Sequence, residues 1–262
     1  MHKTLHPLWP SPLVAIRLVA SAAFPPSVFN HLLEWANEGV TQSASSYPEG
    51  ESVPLQLPVH VANAGGTAGR GLFATRAVAP GETLLSVPFD RLFKSDEASD
   101  GMHWAAGMAL RLLKVKGACH ASGSAASPLA GSQDHSSQWG PWISALPSSE
   151  ELKTPLAYRE DELAGLGDPG AINEVLGMQA CIRACYEVAS EELSEDNTAS
   201  SSSTRLLRWD DFLWAVQIFT SRCFFEPSLG CHLAVPGIDM ANHRWEISPD
   251  EGHFHPSWKI NG

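Results

Sequence analysis

The chain has 262 residues, of which 44% are hydrophobic, and its formal net charge is −12. A chain of this size can bury the core of one large domain or of two ordinary ones. The acidic balance argues against a general nucleic-acid binder, which needs a basic surface, but it is compatible with a basic protein partner.

The N-terminal segment is compositionally distinct from the rest of the chain. Its first 33 residues contain no acidic residue, and Lys3 and Arg17 are their only fixed charges. This composition is typical of an organelle transit peptide or of an irregular tail, and both interpretations stay open for residues 1–26. No apolar run approaches the ~18 residues of a membrane span, so we expect no membrane segment.

Cysteine usage points to the compartment. The five cysteines lack the spacing of a disulfide framework, which indicates reduced thiols. We therefore expect an intracellular protein, in a plastid or another organelle, or otherwise in the cytoplasm or nucleus.

A helix and three short strands are predicted first along the chain. The helix begins near Ser27 and ends at Gly39, with apolar residues on one face. Residues 59–61, 71–75 and 83–87 are β-like segments separated by turns that contain Gly or Pro. No helix-length segment lies between them, so they are not βαβ units.

The middle of the chain is predicted to be helical. Apolar periodicity favours helices from about 97 to 115, over about 171–192 and over about 209–222. Segments 117–138 and 194–204 are rich in small and polar residues and are interpreted as flexible loops.

An aromatic segment, residues 139–147, precedes the second of these helices. Proline bounds it, and we predict a packed irregular link in which Trp139 and Trp142 serve packing. A short strand follows the helical middle, so the order of elements indicates an α+β protein with helices inserted into a small all-β frame.

Polar residues cluster directly after this last strand. An apolar run reaches Pro236 and Gly237, and Asp239, Asn242 and His243 then fall within five residues. Polar side chains just past a strand end can face a cleft while a rigid element holds them. Capping and turning of the chain is the alternative interpretation.

Two further features are candidates for ligand binding. The Gly-rich segment 66–74 leads into a strand rather than a helix, which excludes a dinucleotide fingerprint. It is either a loop against which a ligand packs or a plain hairpin turn. Arg222 ends an apolar helix and needs an acidic partner, either a ligand carboxylate or a structural ion pair.

Two common chemistries lack their motifs. The histidines at 232, 253 and 255 have no accompanying Cys-x2-Cys pair, so we expect no metal site. No nucleophile elbow of the Gly-x-Ser-x-Gly type supports Ser-His-Asp hydrolysis.

Three separated segments together resemble one family. Residues 69–88 resemble the opening of a SET domain. Residues 139–147, with Thr154, Pro155 and Leu156, resemble the inserted helical region of the Rubisco large-subunit methyltransferase-like branch. Residues 221–224 and 235–243 resemble the cofactor motif of that branch.

This resemblance implies a small all-β SET frame of the β-clip type, interrupted by a long helical insertion. The expected units are a transit peptide or tail (1–26), an N-terminal helix with the first part of the SET domain (27–95), a helical insertion (96–225) and the start of the C-terminal SET part (226–262).

The same resemblance implies transfer of methyl groups from S-adenosylmethionine to a lysine side chain of a protein substrate. The alternatives are a histidine-directed methyltransferase and a catalytically silent SET-like module that binds a protein. We expect a monomer that binds neither nucleic acid nor membrane. The residues expected to bind the cofactor are Arg70, Gly71, Leu72, Phe73, Arg222, Asn242 and His243.

Roles follow by the same analogy. Arg70 and the three residues after it would cradle the cofactor largely through backbone groups, and Arg222 would bind its carboxylate. Asn242 and His243 would hold its aminoacid and adenine ends. Asp239 would lie beside the substrate channel.

The sequence departs from the family pattern at its C-terminal end. Relatives continue past the Asn-His motif into strands that carry a tyrosine at the methyl-transfer site, whereas Tyr47, Tyr158 and Tyr186 all lie upstream of it here. We therefore expect a C-terminally truncated chain, either a fragment or a naturally shortened and inactive protein, with little turnover of its own.

Overall fold

The computed structural model describes residues 26–37, 57–63, 70–79, 82–95, 101–122, 138–199 and 207–241. The helices are α1 (Pro26–Asn37), α2 (Trp104–Ser122), α3 (Gly140–Ala145), α4 (Glu160–Ala164), α5 (Pro169–Ala199) and α6 (Trp209–Arg222). The strands are β1 (Val59–Asn63), β2 (Arg70–Ala74), β3 (Phe93–Lys94), β4 (Cys223–Glu226) and β5 (Cys231–Ala234). Short 3-10 turns lie at Phe89–Arg91, Pro155–Ala157 and Ile238–Met240.

The first sheet is an antiparallel pair. β1 and β2 pair in the register Asn63 to Arg70 and Val59 to Ala74. Both strands match their predictions closely, because alternating apolar residues and flanking turn residues give a clear period-two pattern. α1 contacts β1 and buries its predicted apolar face, which consists of Phe29, Leu32, Leu33 and Ala36.

The second sheet joins segments from distant parts of the sequence. Its strand order is β3-β5-β4, and both pairings are antiparallel. β5 lies in the centre, where Ala234 is opposite Phe93 on one side and opposite Cys223 on the other. The last helix therefore runs directly into the sheet, because β4 begins at the residue after Arg222.

The core lies between this sheet and the helices. α2 and α6 pack against each other, and most of α6 from Phe212 to Phe219 is buried. The Phe93 ring stacks on Phe219 at 5.3 Å and lies 5.5 Å from the Trp142 ring. These aromatic contacts connect β3, α3 and α6 at the end of the molecule that carries Arg222.

The predicted third strand at 83–87 is wrong. The segment is described, but it pairs with no strand. Its backbone has another partner, because the Ser86 amide donates to Asn37 Oδ1 at 3.4 Å. The apolar run that suggested a strand packs against α1 and the turn after β5, where Leu85 comes close to Gly237.

The predicted irregular link at 139–147 is also corrected. Residues Gly140–Ala145 form α3, with Pro141 in its first turn. Proline is tolerated there because the missing N–H would have no partner inside the helix.

Two helices extend into segments that the composition assigned to loops. α2 continues to Ser122 and α5 to Ala199, so the first residues of segments 117–138 and 194–204 are helical. Most of the remainder of both segments lies outside the described residues. Small residues such as Ala and Ser do not prevent helix formation, which explains the error.

The described ranges contain neither a candidate membrane span nor a candidate metal cluster. None of their helices has the length and apolar character needed to cross a bilayer. Within the same ranges, no three His, Cys, Asp or Glu side chains are grouped so that they could hold a metal ion.

Candidate functional site

Asp239 is the centre of a buried polar cluster. It lies in the 3-10 turn Ile238–Met240 that follows β5, and its side chain is fully buried. The backbone N–H of Gly237 donates to its Oδ1 at 2.9 Å. Of the polar residues predicted after the last strand, Asp239 thus lies in a tight turn and points its carboxylate into the protein.

Arg222 reaches this carboxylate from the end of α6. Its Nη1 donates to the Asp239 backbone oxygen at 3.0 Å and lies 3.4 Å from Asp239 Oδ2. The same nitrogen is 3.6 Å from the sulfur of Met240. The acidic partner expected for Arg222 is therefore present as a structural ion pair within the chain.

The guanidinium of Arg222 is only partly used by these contacts. Its Nε is buried and has no hydrogen-bond partner among the described residues. Buried donors in native proteins are nearly always paired, so such a group marks a place where a ligand could bind. Nε and Nη2 form the edge of the guanidinium that Asp239 does not occupy.

Trp142 supplies the third donor to Asp239. Its side chain is fully buried in α3, and its indole N–H donates to Asp239 Oδ2 at 3.1 Å. From the sequence, packing is the only role predicted for Trp142. The available signal was weak, namely that a buried tryptophan usually needs an acceptor for its N–H.

Arg70 brings the Gly-rich strand into the same neighbourhood. β2 contacts the turn that carries Asp239, and the charge of Arg70 interacts with those of Glu151, Arg222 and Asp239. Burial lowers the pKa of the Arg70 guanidinium, and Glu151 offsets part of this effect. The Arg70 side chain lies over the ring of Phe29 at 5.0 Å.

Strand alternation separates the side chains of the other predicted residues in β2. Leu72 lies on the side of Arg70 and packs on the core, whereas Gly71 and Phe73 belong to the opposite side. Phe73 is 38% exposed and lies 6.1 Å from the His60 ring. The side chains of residues 70–73 therefore do not face one common surface. Only their backbone groups could contact the same ligand.

The structure thus brings three of the predicted site residues together, namely Arg70, Arg222 and Asp239. Asn242 and His243, the other two residues of the predicted motif, lie outside the described residues.

Burial governs the ionisation of this cluster. Desolvation raises the pKa of Asp239, against the opposing effects of Arg222, Trp142 and the Gly237 amide. Desolvation, with Asp239 close by, also raises the pKa of the Cys223 thiol well above its ordinary value. Cys223 is therefore a neutral thiol at physiological pH and not a nucleophile.

A separate cleft lies elsewhere on the molecule. It has a volume of about 420 Å³ and lies between α5, α6 and the turn Pro155–Ala157. Its lining includes Tyr158, Arg183 and Trp209 but none of the predicted site residues. Its size alone does not make it the functional site, because the cleft brings no buried acid and base together.

The arrangement of strands and helices is that of a SET domain. A structure of Rubisco LSMT bound to AdoMet is 19% identical, with a TM-score of 0.55, over 86% of this chain and 46% of that chain. The SET domain of LSMT bound to methyllysine and AdoHcy is 19% identical, with a TM-score of 0.57, over 87% and 47%. These likenesses confirm the predicted fold.

Sequence comparison finds homologues among Rubisco LSMT-like SET-domain methyltransferases. The chloroplastic ribulose-1,5-bisphosphate carboxylase/oxygenase large subunit N-methyltransferase of Nicotiana tabacum is 24% identical over 195 residues, or 71% of this chain and 35% of that protein. The actin-histidine N-methyltransferase of Gallus gallus is 28% identical over 184 residues, or 67% and 30%. No protein-family model matches the chain.

The chain therefore spans 30–35% of the length of these two curated relatives.

Proposed function

We propose that this chain forms the cofactor-binding part of a protein methyltransferase that uses S-adenosylmethionine and acts on lysine. The observation that carries the proposal is the buried, unpartnered Nε of Arg222 beside a carboxylate that already holds Nη1. A guanidinium edge of this kind matches a carboxylate through two parallel hydrogen bonds. The cofactor has such a carboxylate on its aminoacid end.

We assign the remaining predicted residues to the rest of the same ligand. The backbone of residues 70–73 borders the turn that carries Asp239, which supports our assignment of this backbone to the other side of the cofactor. Asn242 follows that turn directly, and we assign the aminoacid end to it and the adenine end to His243.

Methyl transfer depends on alignment of the reacting atoms more than on acid–base catalysis. When bound, the cofactor supplies a methyl group on a positively charged sulfur. The protein holds the acceptor nitrogen in line with that methyl group and excludes water. A lysine with an ordinary pKa of ~10.4 must also lose its proton, which an apolar channel favours by desolvation. Asp239 lies beside this channel in our assignment.

Support for a lysine acceptor comes from the relative of Nicotiana tabacum and from the LSMT structures with lysine or methyllysine. The actin-histidine relative is slightly more identical, at 28% against 24%, and keeps a histidine acceptor as the second candidate. We further propose a plastid protein, in line with the chloroplastic relative of Nicotiana tabacum, and a monomer that acts on a protein substrate and binds no nucleic acid.

Calorimetric titration with S-adenosylhomocysteine tests the cofactor assignment. Arg222→Lys keeps the charge but loses the planar fork, and we expect about 10- to 100-fold weaker binding, the size of a lost charged hydrogen bond. Arg208→Lys is the matched control, because Arg208 stands at the other end of α6 and pairs with Asp210 on the surface, at 3.6 Å. Unchanged affinity of a folded Arg222→Lys variant would overturn the assignment.

The acceptor is tested with the full-length protein, labelled S-adenosylmethionine and a plastid protein extract. Methyllysine in the hydrolysed products would support the proposal, and methylhistidine would favour the second candidate. Tight cofactor binding without any transfer would indicate the silent protein-binding module.

A further inference from the structure

Trp142 makes a contact that packing alone does not require. Its indole ring is fully buried, with the Phe93 ring 5.5 Å away and the Phe219 ring 6.4 Å away. Its N–H, however, points at Asp239 Oδ2, 97 residues further along the chain, at 3.1 Å. Apolar neighbours thus hold the ring, while its one polar group donates a hydrogen bond to a residue of the candidate site.

The two oxygens of Asp239 have different tasks. Oδ1 accepts the Gly237 amide at 2.9 Å, which ties the carboxylate to its own turn. Oδ2 is shared by the indole N–H of Trp142 at 3.1 Å and by Nη1 of Arg222 at 3.4 Å. With Gly237 and Trp142 both bonded, the carboxylate cannot rotate about its last bond without losing a buried hydrogen bond.

We propose that Trp142 is a positioning residue for the cofactor carboxylate. It fixes the plane of the Asp239 carboxylate, which together with the Asp239 backbone oxygen holds Nη1 of Arg222, so that the Nε–Nη2 edge stays directed at the ligand. This inference rests on the proposed function, because it assumes that Arg222 binds a carboxylate.

The energetic reason is preorganisation. An arginine side chain has several rotatable bonds, and holding it in place before binding reduces the entropy that the complex must lose. The planar fork gives two hydrogen bonds only when its plane matches that of the ligand carboxylate. A loosened Asp239 would therefore weaken recognition of the carboxylate end and leave the adenine end unaffected.

A matched pair of ligands separates positioning from a general effect on the fold. S-Adenosylmethionine and its decarboxylated form differ only in the carboxylate. The dissociation constant of the decarboxylated form, divided by that of S-adenosylmethionine, measures recognition of that group. We expect Trp142→Phe, which keeps an aromatic ring and removes the N–H, to lower this ratio about 3- to 10-fold, as for one lost hydrogen bond.

Trp139→Phe is the control. Trp139 also packs on Phe93, with ring centroids 5.2 Å apart, but its N–H donates to the Arg91 carbonyl at 3.2 Å. The ratio should therefore stay at its wild-type value in this variant. If Trp142→Phe does not fold, site-specific 3-benzothienylalanine at this position keeps the bicyclic ring, lacks the N–H and tests the same bond.

Each outcome decides the inference. A lower ratio in the Trp142 variant alone supports it. An unchanged ratio, or equal weakening of both ligands, shows that Trp142 has only a structural role. Wild-type protein that binds both ligands equally would remove the carboxylate role from Arg222, and wild-type protein that binds neither would overturn the proposed function itself.

Discussion

Gly237 determines how the turn with Asp239 packs. Its φ of 85° lies in the region that side chains disfavour. A Cβ at this position would lie 2.9 Å from Leu85 Cδ2 and 3.1 Å from Leu33 Cδ2. The residue is therefore constrained both by its backbone and by its neighbours.

We predict that Gly237→Ala lowers the free energy of unfolding by about 2–4 kcal/mol, from backbone strain and overpacking combined. Gly101→Ala is the control, since Gly101 has a similar φ of 77° but no atom within 4 Å of its added Cβ. Gly101→Ala should lower the free energy of unfolding only through backbone strain, by about 1–2 kcal/mol. Urea denaturation measures both, and equal losses would contradict a role for close packing.

The second prediction at the residue scale concerns pH. Because burial raises the pKa of Asp239 above its ordinary value of 3.8, the folded state holds this proton more tightly than the unfolded state. Its contribution to stability is fully present below that ordinary value and is lost as pH rises through the folded pKa. The free energy of unfolding of the wild type, relative to Asp239→Asn, should therefore fall as pH rises above about 4.

Urea denaturation of the wild type and of Asp239→Asn, at a series of pH values rising from about 4, measures this difference in the free energy of unfolding. Glu226→Gln serves as a control of opposite sign, because hydrogen bonds from Ser228 lower the pKa of Glu226. A difference between wild type and Asp239→Asn that grows with pH would mean that Arg222 outweighs desolvation.

At the scale of elements, Gln217 connects α6 to the chain before the turn Pro155–Ala157. Its side-chain oxygen accepts both the backbone N–H of Thr154 at 3.1 Å and the Thr154 hydroxyl at 3.0 Å. Gln217 and Thr154 are both buried, so neither donor can turn to water instead.

Gln217→Leu should destabilise the fold by about 1–3 kcal/mol, because it leaves a buried amide and a buried hydroxyl without an acceptor. Thr154→Val removes only the hydroxyl and should cost less. Thermal unfolding of both variants and of the double variant tests this, and strictly additive effects would show that the two residues do not interact.

The elements were predictable where local signals dominate. α6 agrees with its prediction because its apolar stripe and terminal Arg222 are continuous in sequence. The strand predicted at 83–87 is wrong because the backbone amide of Ser86 donates to the side chain of Asn37, a contact that no local pattern reveals. The irregular link predicted at 139–147 is wrong because a proline in the first turn of a helix has the same sequence pattern as a helix boundary.

The residues of the candidate site were predictable from local sequence, but the contacts between them were not. Arg222 needed an acid and Asp239 stood out after a strand, but nothing in the sequence pairs the two. The bond from Trp142 joins residues 97 positions apart, and only the folded chain brings them together. Tertiary contacts of this kind are set by packing, not by local pattern.

At the scale of the whole molecule, the net charge of −12 has a consequence for binding. An acidic protein attracts basic segments over distances comparable to the Debye length, which shrinks from about 10 Å at 0.1 M salt to about 3 Å at 1 M. We predict that a lysine-rich peptide binds more weakly as salt rises, whereas S-adenosylmethionine binding changes much less. Fluorescence anisotropy measures the peptide, and salt-independent peptide binding would contradict this prediction.

The strand order β3-β5-β4 also dictates an order of folding. Closing the turn between Glu226 and Cys231 brings together residues that are near neighbours in sequence. Joining Ser95 to His232 closes a loop of 137 residues, which costs about 4 kcal/mol of chain entropy. The β4–β5 hairpin should therefore form early, and β3 should join only after the intervening helices have collapsed. During synthesis Arg222 leaves the ribosome before Asp239, so a cation that becomes buried in the folded protein is made 17 residues before its counterion.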